Sequence, residues 1–217
     1  MKKDAKTEKE VTTELIIILD MSGSMYGLTK DTIGGFNSLI ADQKKDSEKV
    51  NVTLIVFNHE YHKVFDRIPI KKVPELSGRE YHPTGMTSLL DAIGKTITEM
   101  PSFPESTKVM MSITTDGQEN SSCEYDYKTI KKMVEEKQEE GWEILFVGAN
   151  MDAVAEAENI GVRANRAVNY RSDKVGTETV FTAMSATVKM FKRPTATMDS
   201  AWEQASKVID DDYHSRG

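Results

Sequence analysis

Asp20-Met21-Ser22-Gly23-Ser24 places one carboxylate and two hydroxyls within five residues. Thr87, in Gly85-Met86-Thr87-Ser88-Leu89, and Asp116, in Thr114-Thr115-Asp116-Gly117, add a hydroxyl and a second carboxylate from distant parts of the chain. Asp20, Ser22, Ser24, Thr87 and Asp116 all offer oxygen; none offers nitrogen or sulfur. That donor set suits a hard divalent cation, Mg²⁺ with Mn²⁺ or Ca²⁺ as alternatives, rather than Zn²⁺. Mg²⁺ prefers near-octahedral oxygen ligation at about 2.0–2.1 Å and keeps several waters. Two carboxylates cannot saturate it, so an open position for an outside ligand is expected. Gly23 and Gly117 are expected to let the backbone turn tightly beside the site. Each residue alone has an ordinary explanation. Asp and Ser cap helices and form turns, and Thr87 would cap the helix that follows it.

For these groups to meet, the elements before them must end at one edge. Leu15-Ile16-Ile17-Ile18-Leu19 is a continuous apolar run, the mark of a strand buried on both faces, and it ends at Asp20. Val109 to Thr114 is a second such strand and runs into Asp116, while Val52 to Phe57 and Ile144 to Gly148 read as two more. His62-Lys63-Val64-Phe65 is weaker and more polar, suited to a sheet edge. Ala167 to Tyr170 reads as a brief strand.

Helical spacing follows Thr29 (Ile33, Phe36, Leu39, Ile40), with Gly34-Gly35 expected where that helix sits close against the sheet. It recurs at Leu89 to Ile97, at Tyr127 to Glu140 with Gly141 as the stop, at Asp152 to Asn159, and at Val180 to Phe191. Strand and helix alternate throughout. The expected fold is a three-layer α/β/α, doubly wound domain with a mostly parallel sheet and one antiparallel edge strand. Ligands of such folds bind beyond the C-terminal ends of the strands.

With the threonine loop and the Thr-Asp-Gly strand end in order, Asp20-Met21-Ser22-Gly23-Ser24 resembles the metal-ion-dependent adhesion site of von Willebrand factor A-like domains. The similarity runs from about residue 11 to 195. Gly34-Gly35-Phe36-Asn37 and Asp116-Gly117-Gln118-Glu119-Asn120 are closest to the intracellular bacterial and phage branch. The resemblance implies that Ser22 and Ser24 coordinate the metal directly. It implies that Asp20 and Asp116 act directly or through water, and that Thr87 binds directly when a ligand is present. It further implies a protein partner whose acidic residue completes the coordination, and a non-catalytic role. Two other readings remain open: a metal-assisted phosphatase or hydrolase, and a structural subunit whose metal only stabilises the loops.

The remaining features bound the function. The chain has 217 residues, 38% hydrophobic and 29% charged, enough for one core without staples. The expected division is a charged tail over 1–10, the domain over 11–195 and a helical extension over 196–217. A formal net charge of −7 argues against binding a phosphate backbone. The lone Cys123 cannot form an internal disulfide and reads as an incidental thiol. The charged N-terminus lacks the apolar core of a signal peptide, and no apolar run approaches a membrane span, so a cytoplasmic protein is expected.

His59 and His62 are three apart, not the four a zinc-protease helix requires. Ser22 stands where haloacid dehalogenase-like phosphatases carry a second acid, and neither serine sits in a Gly-x-Ser-x-Gly elbow. Phosphate-binding glycine loops are absent from the sequence. Met198 to Asp212 reads first as a core helix, with Ala201, Trp202, Ala205, Val208 and Ile209 near one side, and alternatively as a partner-binding helix.

Overall fold

The computed structural model describes residues 11–46 and 49–216; the proposed tail, 1–10, lies outside them. Successive side chains of a strand point to opposite faces, and this decides how β1 (Thr12–Asp20) is used. Leu15, Ile17 and Leu19 enter one apolar cluster, while Ile16 and Ile18 enter the other. An unbroken aliphatic run therefore supplies two cores at once, which only a central strand covered on both sides can do.

The remaining strands are β2 (Lys49–Phe57), β3 (Tyr61–Pro69), β4 (Thr107–Thr115), β5 (Glu143–Gly148) and β6 (Ala167–Asn169). They form a six-stranded sheet in the order β3-β2-β1-β4-β5-β6. All pairings are parallel except β2–β3, so β3 is the antiparallel edge strand. It is longer than the four residues expected. The register between β2 and β3 shifts twice near Leu54, and Arg67 adopts a positive φ of 49°. These irregularities break the alternation that would have marked the whole strand.

On one face lie α1 (Thr29–Gln43), α5 (Lys174–Phe191) and α6 (Met198–Ser215), whose buried residues share a cluster with Leu15 and Ile17. The other face carries α2 (Leu89–Glu99), α3 (Tyr127–Glu139) and α4 (Ala153–Asn159). Gly141 takes φ +94° just past α3, the left-handed stop that glycine permits.

Two local expectations need correction. Gly35 marks close contact with another helix, not with the sheet: a Cβ there would stand 2.2 Å from Cδ2 of Phe181 on α5. In α6, Met198, Ala201, Trp202, Ala205 and Ile209 are buried in the domain's own core, but Val208 is half exposed. The core-helix reading of this segment therefore holds, without Val208.

The paired glycines of α1 yield a prediction. A methyl group at Gly34 meets nothing within 4 Å, so Gly34→Ala should stabilise by about 0.5–1 kcal/mol through helix propensity. Gly35→Ala must displace the Phe181 ring and should destabilise by about 1–3 kcal/mol. Urea unfolding of the two variants should show opposite signs.

Candidate metal centre

The helix after β1 packs on one face of the sheet and the helix after β4 on the other. These two strands are neighbours, so the chain diverges between their C-terminal ends and leaves a crevice there. Asp20 closes β1, and Thr115 closes β4 with Asp116 next.

Asp20 is fully buried. Its Oδ1 accepts the Ser22 N–H at 2.6 Å, and its Oδ2 accepts the Thr115 hydroxyl at 2.6 Å. The Ser22 and Ser24 hydroxyls lie 3.0 Å apart. Ser24 donates to Asp116 Oδ1 at 2.5 Å, and Ser172, just before α5, donates to Asp116 Oδ2 at 3.1 Å. Burial pushes the Asp20 carboxyl above its ordinary pKa; the Ser22 and Thr115 contacts pull it back, and the charge of Asp116 adds to the rise. Among the described residues, neither carboxylate has an ion-pair partner.

Gly117 shows how the loops converge. A Cβ built on it would stand 3.0 Å from Thr87 Oγ1, 3.4 Å from Ser24 Oγ and 3.7 Å from Asp20 Oδ2. Oxygens from two other loops thus face one small concavity beside Gly117 that a methyl group would fill. The structure accordingly brings Asp20, Ser22, Ser24, Thr87 and Asp116 together. Asp20, Ser22, Thr87 and Asp116 are buried, whereas Ser24 is exposed, so the cluster reaches solvent on that side.

Gly23 and Gly117 serve by lacking a side chain, not by turning: neither takes a positive φ, and a Cβ on Gly23 would crowd the Gly85 carbonyl at 3.3 Å. Nor does Thr87 cap α2. The cap position is Ser88, without a side-chain cap bond.

Several contacts that position the site escaped the sequence reading. The Asn120 side-chain oxygen accepts the Thr87 N–H at 2.9 Å, and the Asn120 backbone N–H donates to the Thr87 carbonyl at 3.0 Å. The Tyr81 hydroxyl donates to the Asp20 carbonyl at 2.6 Å, and Gly23 N–H donates to Gly85 O at 3.0 Å. Glu119 accepts N–H bonds from Ser121, Ser122 and Leu90, joining its loop to the start of α2. Asp91 accepts from Cys123, Glu124 and Tyr125. Thr115 was visible as the neighbour of Asp116; the others are linked to the site only by the fold.

The donor set fits a hard cation: two carboxylates and three hydroxyls, with no imidazole or thiolate. Among the described residues no group of three or more His, Cys, Asp or Glu could hold a metal, so the softer, nitrogen-rich type of site has no counterpart. Cys123 is a free, exposed thiol.

The model of the von Willebrand factor type A domain family matches residues 14–192. Comparison with curated protein sequences gives no match. Solved structures with a similar fold include a von Willebrand factor type A protein from Catenulispora acidiphila, with a TM-score of 0.56 and 15% identity over 83% of this chain and 43% of that one. The ArnB paralog VWA2 from Sulfolobus acidocaldarius has a TM-score of 0.54 at 15% identity, covering 80% of this chain and 45% of its own. Proximal thread matrix protein 1 from the mussel byssus, with a zinc-occupied MIDAS motif, has a TM-score of 0.58 at 16% identity, covering 81% of this chain and 45% of its own. At such identities the likeness is one of fold, and this chain spans less than half the length of these three structures.

The Asp91 clamp can be tested by pH. Burial favours its neutral form, but the N–H donors of Cys123, Tyr125 and Glu124 outweigh that and hold its pKa below the ordinary value. Its contribution is therefore full above the unfolded-state value of about 4 and fades as pH falls through the lower folded-state value. Asp91→Asn should destabilise by about 1–3 kcal/mol at pH 7. The difference from wild type should shrink below about pH 4, as read by denaturant unfolding across pH.

Proposed function

The chain belongs to the von Willebrand factor type A domain family, and from that premise we propose that it is a binding module that recognises a partner protein through a divalent cation. The supporting observation is the meeting of Asp20, Ser22, Ser24, Thr87 and Asp116 at the switch point, with two carboxylates lacking a cation partner among the described residues. These five residues would hold the metal. When bound, it would supply positive charge to attract and fix an anionic group. The hydroxyls of Ser24 and of the neighbouring Thr115 direct their protons at Asp116 and Asp20 respectively.

A carboxylate from a partner is the natural outside ligand. The site residues bring at most two negative charges, so a divalent ion leaves room for one more anion. In a partly desolvated crevice this contact should exceed an exposed salt bridge, worth about 0–1 kcal/mol. The all-oxygen donors favour Mg²⁺, with Mn²⁺ or Ca²⁺ as alternatives. Zinc in the mussel protein's MIDAS motif makes metal identity a point to measure.

Binding is favoured over catalysis because the hydrogen-bond partners of the two acids are hydroxyls and a backbone N–H, none of which titrates near neutrality. We read the module as 11–195, with 196–217 as a helical extension whose buried face packs on the same core. No helix among the described residues is long and apolar enough to cross a membrane. The cytoplasmic assignment and the bacterial or phage branch belong to the same proposal and rest on sequence features alone.

If this is right, Mg²⁺ at about 100 times its Kd should add about 2.7 kcal/mol of stability and raise Tm by about 5–10 °C. Asp20→Ala and Ser24→Ala should lose that increment while still unfolding cooperatively. Capture of a partner in Mg²⁺ should fail with EDTA and with Thr87→Ala. No response to Mg²⁺, Mn²⁺ or Ca²⁺, combined with stoichiometric zinc that survives Ser24→Ala, would sink the assignment. Partner binding that is equal with and without chelator would refute recognition through the metal even if the metal binds.

A further inference from the structure

Beside Asp20, a cavity of about 10 Å³ lies between α1, α5 and the ends of β1 and β4, and Leu19, Thr114, Tyr170 and Phe181 contribute to its wall. Thr32 on α1 and Thr177 on α5 also line it. Both are buried, at 1% and 3% exposure, and neither hydroxyl has a hydrogen-bond partner.

Buried threonines in helices usually satisfy themselves by bonding back to the preceding turn. Two in this chain do so: Thr96 donates to the Ala92 carbonyl at 2.7 Å, and Thr187 to the Ala183 carbonyl at 2.9 Å. Thr32 and Thr177 do not. Burial raises the Tyr81 hydroxyl's pKa and the nearby Thr32 hydroxyl pulls it partly back, but that contact falls outside hydrogen-bond geometry, and Tyr81 donates instead to the Asp20 carbonyl at 2.6 Å.

Burying a hydroxyl without a partner costs free energy. A single water relieves that cost where a cavity of roughly 10–15 Å³ offers two to four polar partners. The volume here is at the lower end of that range, and Thr32, Thr177, Asp20 and Tyr170 are the polar residues on an otherwise mainly apolar wall. We infer an internal water site in which one molecule bridges the Thr32 and Thr177 hydroxyls.

Such a bridge would brace two helices that lead away from the metal loops. The loop carrying Ser24 leads into α1, and Ser172, which holds Asp116, stands just before α5. The water would thus set the spacing of α1 and α5 where the two carboxylates are held. The inference does not depend on bound metal, so its test is run in EDTA.

Thr32→Val, Thr177→Val and the double variant keep the shape of the side chain and remove the hydroxyl. Each single variant should melt about 2–6 °C lower than wild type. The double should melt little lower than the weaker single, because both hydroxyls serve one molecule. A crystal structure of the wild type should show a density peak within about 2.5–3.0 Å of both hydroxyls. A double variant that melts at or above wild type would mean a dry cavity, since a methyl group there would cost less than an unpartnered hydroxyl. Additive losses would mean no shared partner, and a cavity without density would also overturn the inference. If the double variant does not fold, the wild-type map decides.

Discussion

Two acids with no basic side chain paired to them among the described residues, Asp20 and Asp116, stand at the ends of adjacent parallel strands, and the surrounding structure is arranged to tolerate them. Each oxygen of both carboxylates accepts a hydrogen bond, from Ser22 N–H, Thr115, Ser24 and Ser172 respectively. Those bonds offset the loss of water but supply no charge. The elevated pKa of Asp20 expresses what remains, a burial cost that its hydroxyl and amide donors do not remove. On the proposed reading a divalent cation would supply the charge that these donors lack, at the end of the sheet where Ser24 is exposed.

Other buried or half-buried acids of the domain are satisfied differently. Glu14 is gripped by Nε and Nη2 of Arg67 and by Asn51. Asp91 and Glu119 are each enclosed by backbone N–H groups and lock the 119–125 loop to α2. These bonds turn charge into position, because the loop they fix carries Asn120, which holds Thr87 from both sides of its backbone. Acids that organise loops and acids that remain available are therefore separate sets, side by side at the same end of the sheet.

This division explains what could be read from the chain. Mainly apolar runs that lead to Asp20 and Asp116 announce buried parallel strands and their useful ends, because burial on both faces leaves few polar positions. The five oxygen donors were legible because residue type and strand position coincide in them. Asn120, Tyr81 and Ser172 were not, since each acts on a single residue 33 to 61 positions away, which no local pattern encodes. Gly35 was legible as a close approach but not as to its partner, because only the packing of α1 on α5 brings Phe181 there. Most of β3 was hidden for a different reason: register shifts erase the period-2 signal.

The charge balance also limits how the proposed recognition can work. The protein carries a formal net charge of −7, so an acidic partner gains nothing from long-range attraction. A divalent ion over two carboxylates neutralises the crevice only locally, and beyond about 8–10 Å that contrast is screened at physiological salt. Affinity must then come from contact at short range, where shape matters as much as charge. Tyr26, two residues beyond Ser24, is 77% exposed, and Met86, adjacent to Thr87, is 57% exposed. The hydrogen bond from Gly23 to Gly85 joins the two loops that bear them. On the proposed reading the metal accounts for the need for an acid, while these two apolar side chains account for which acid-bearing surface fits, since the ion alone would accept any accessible carboxylate.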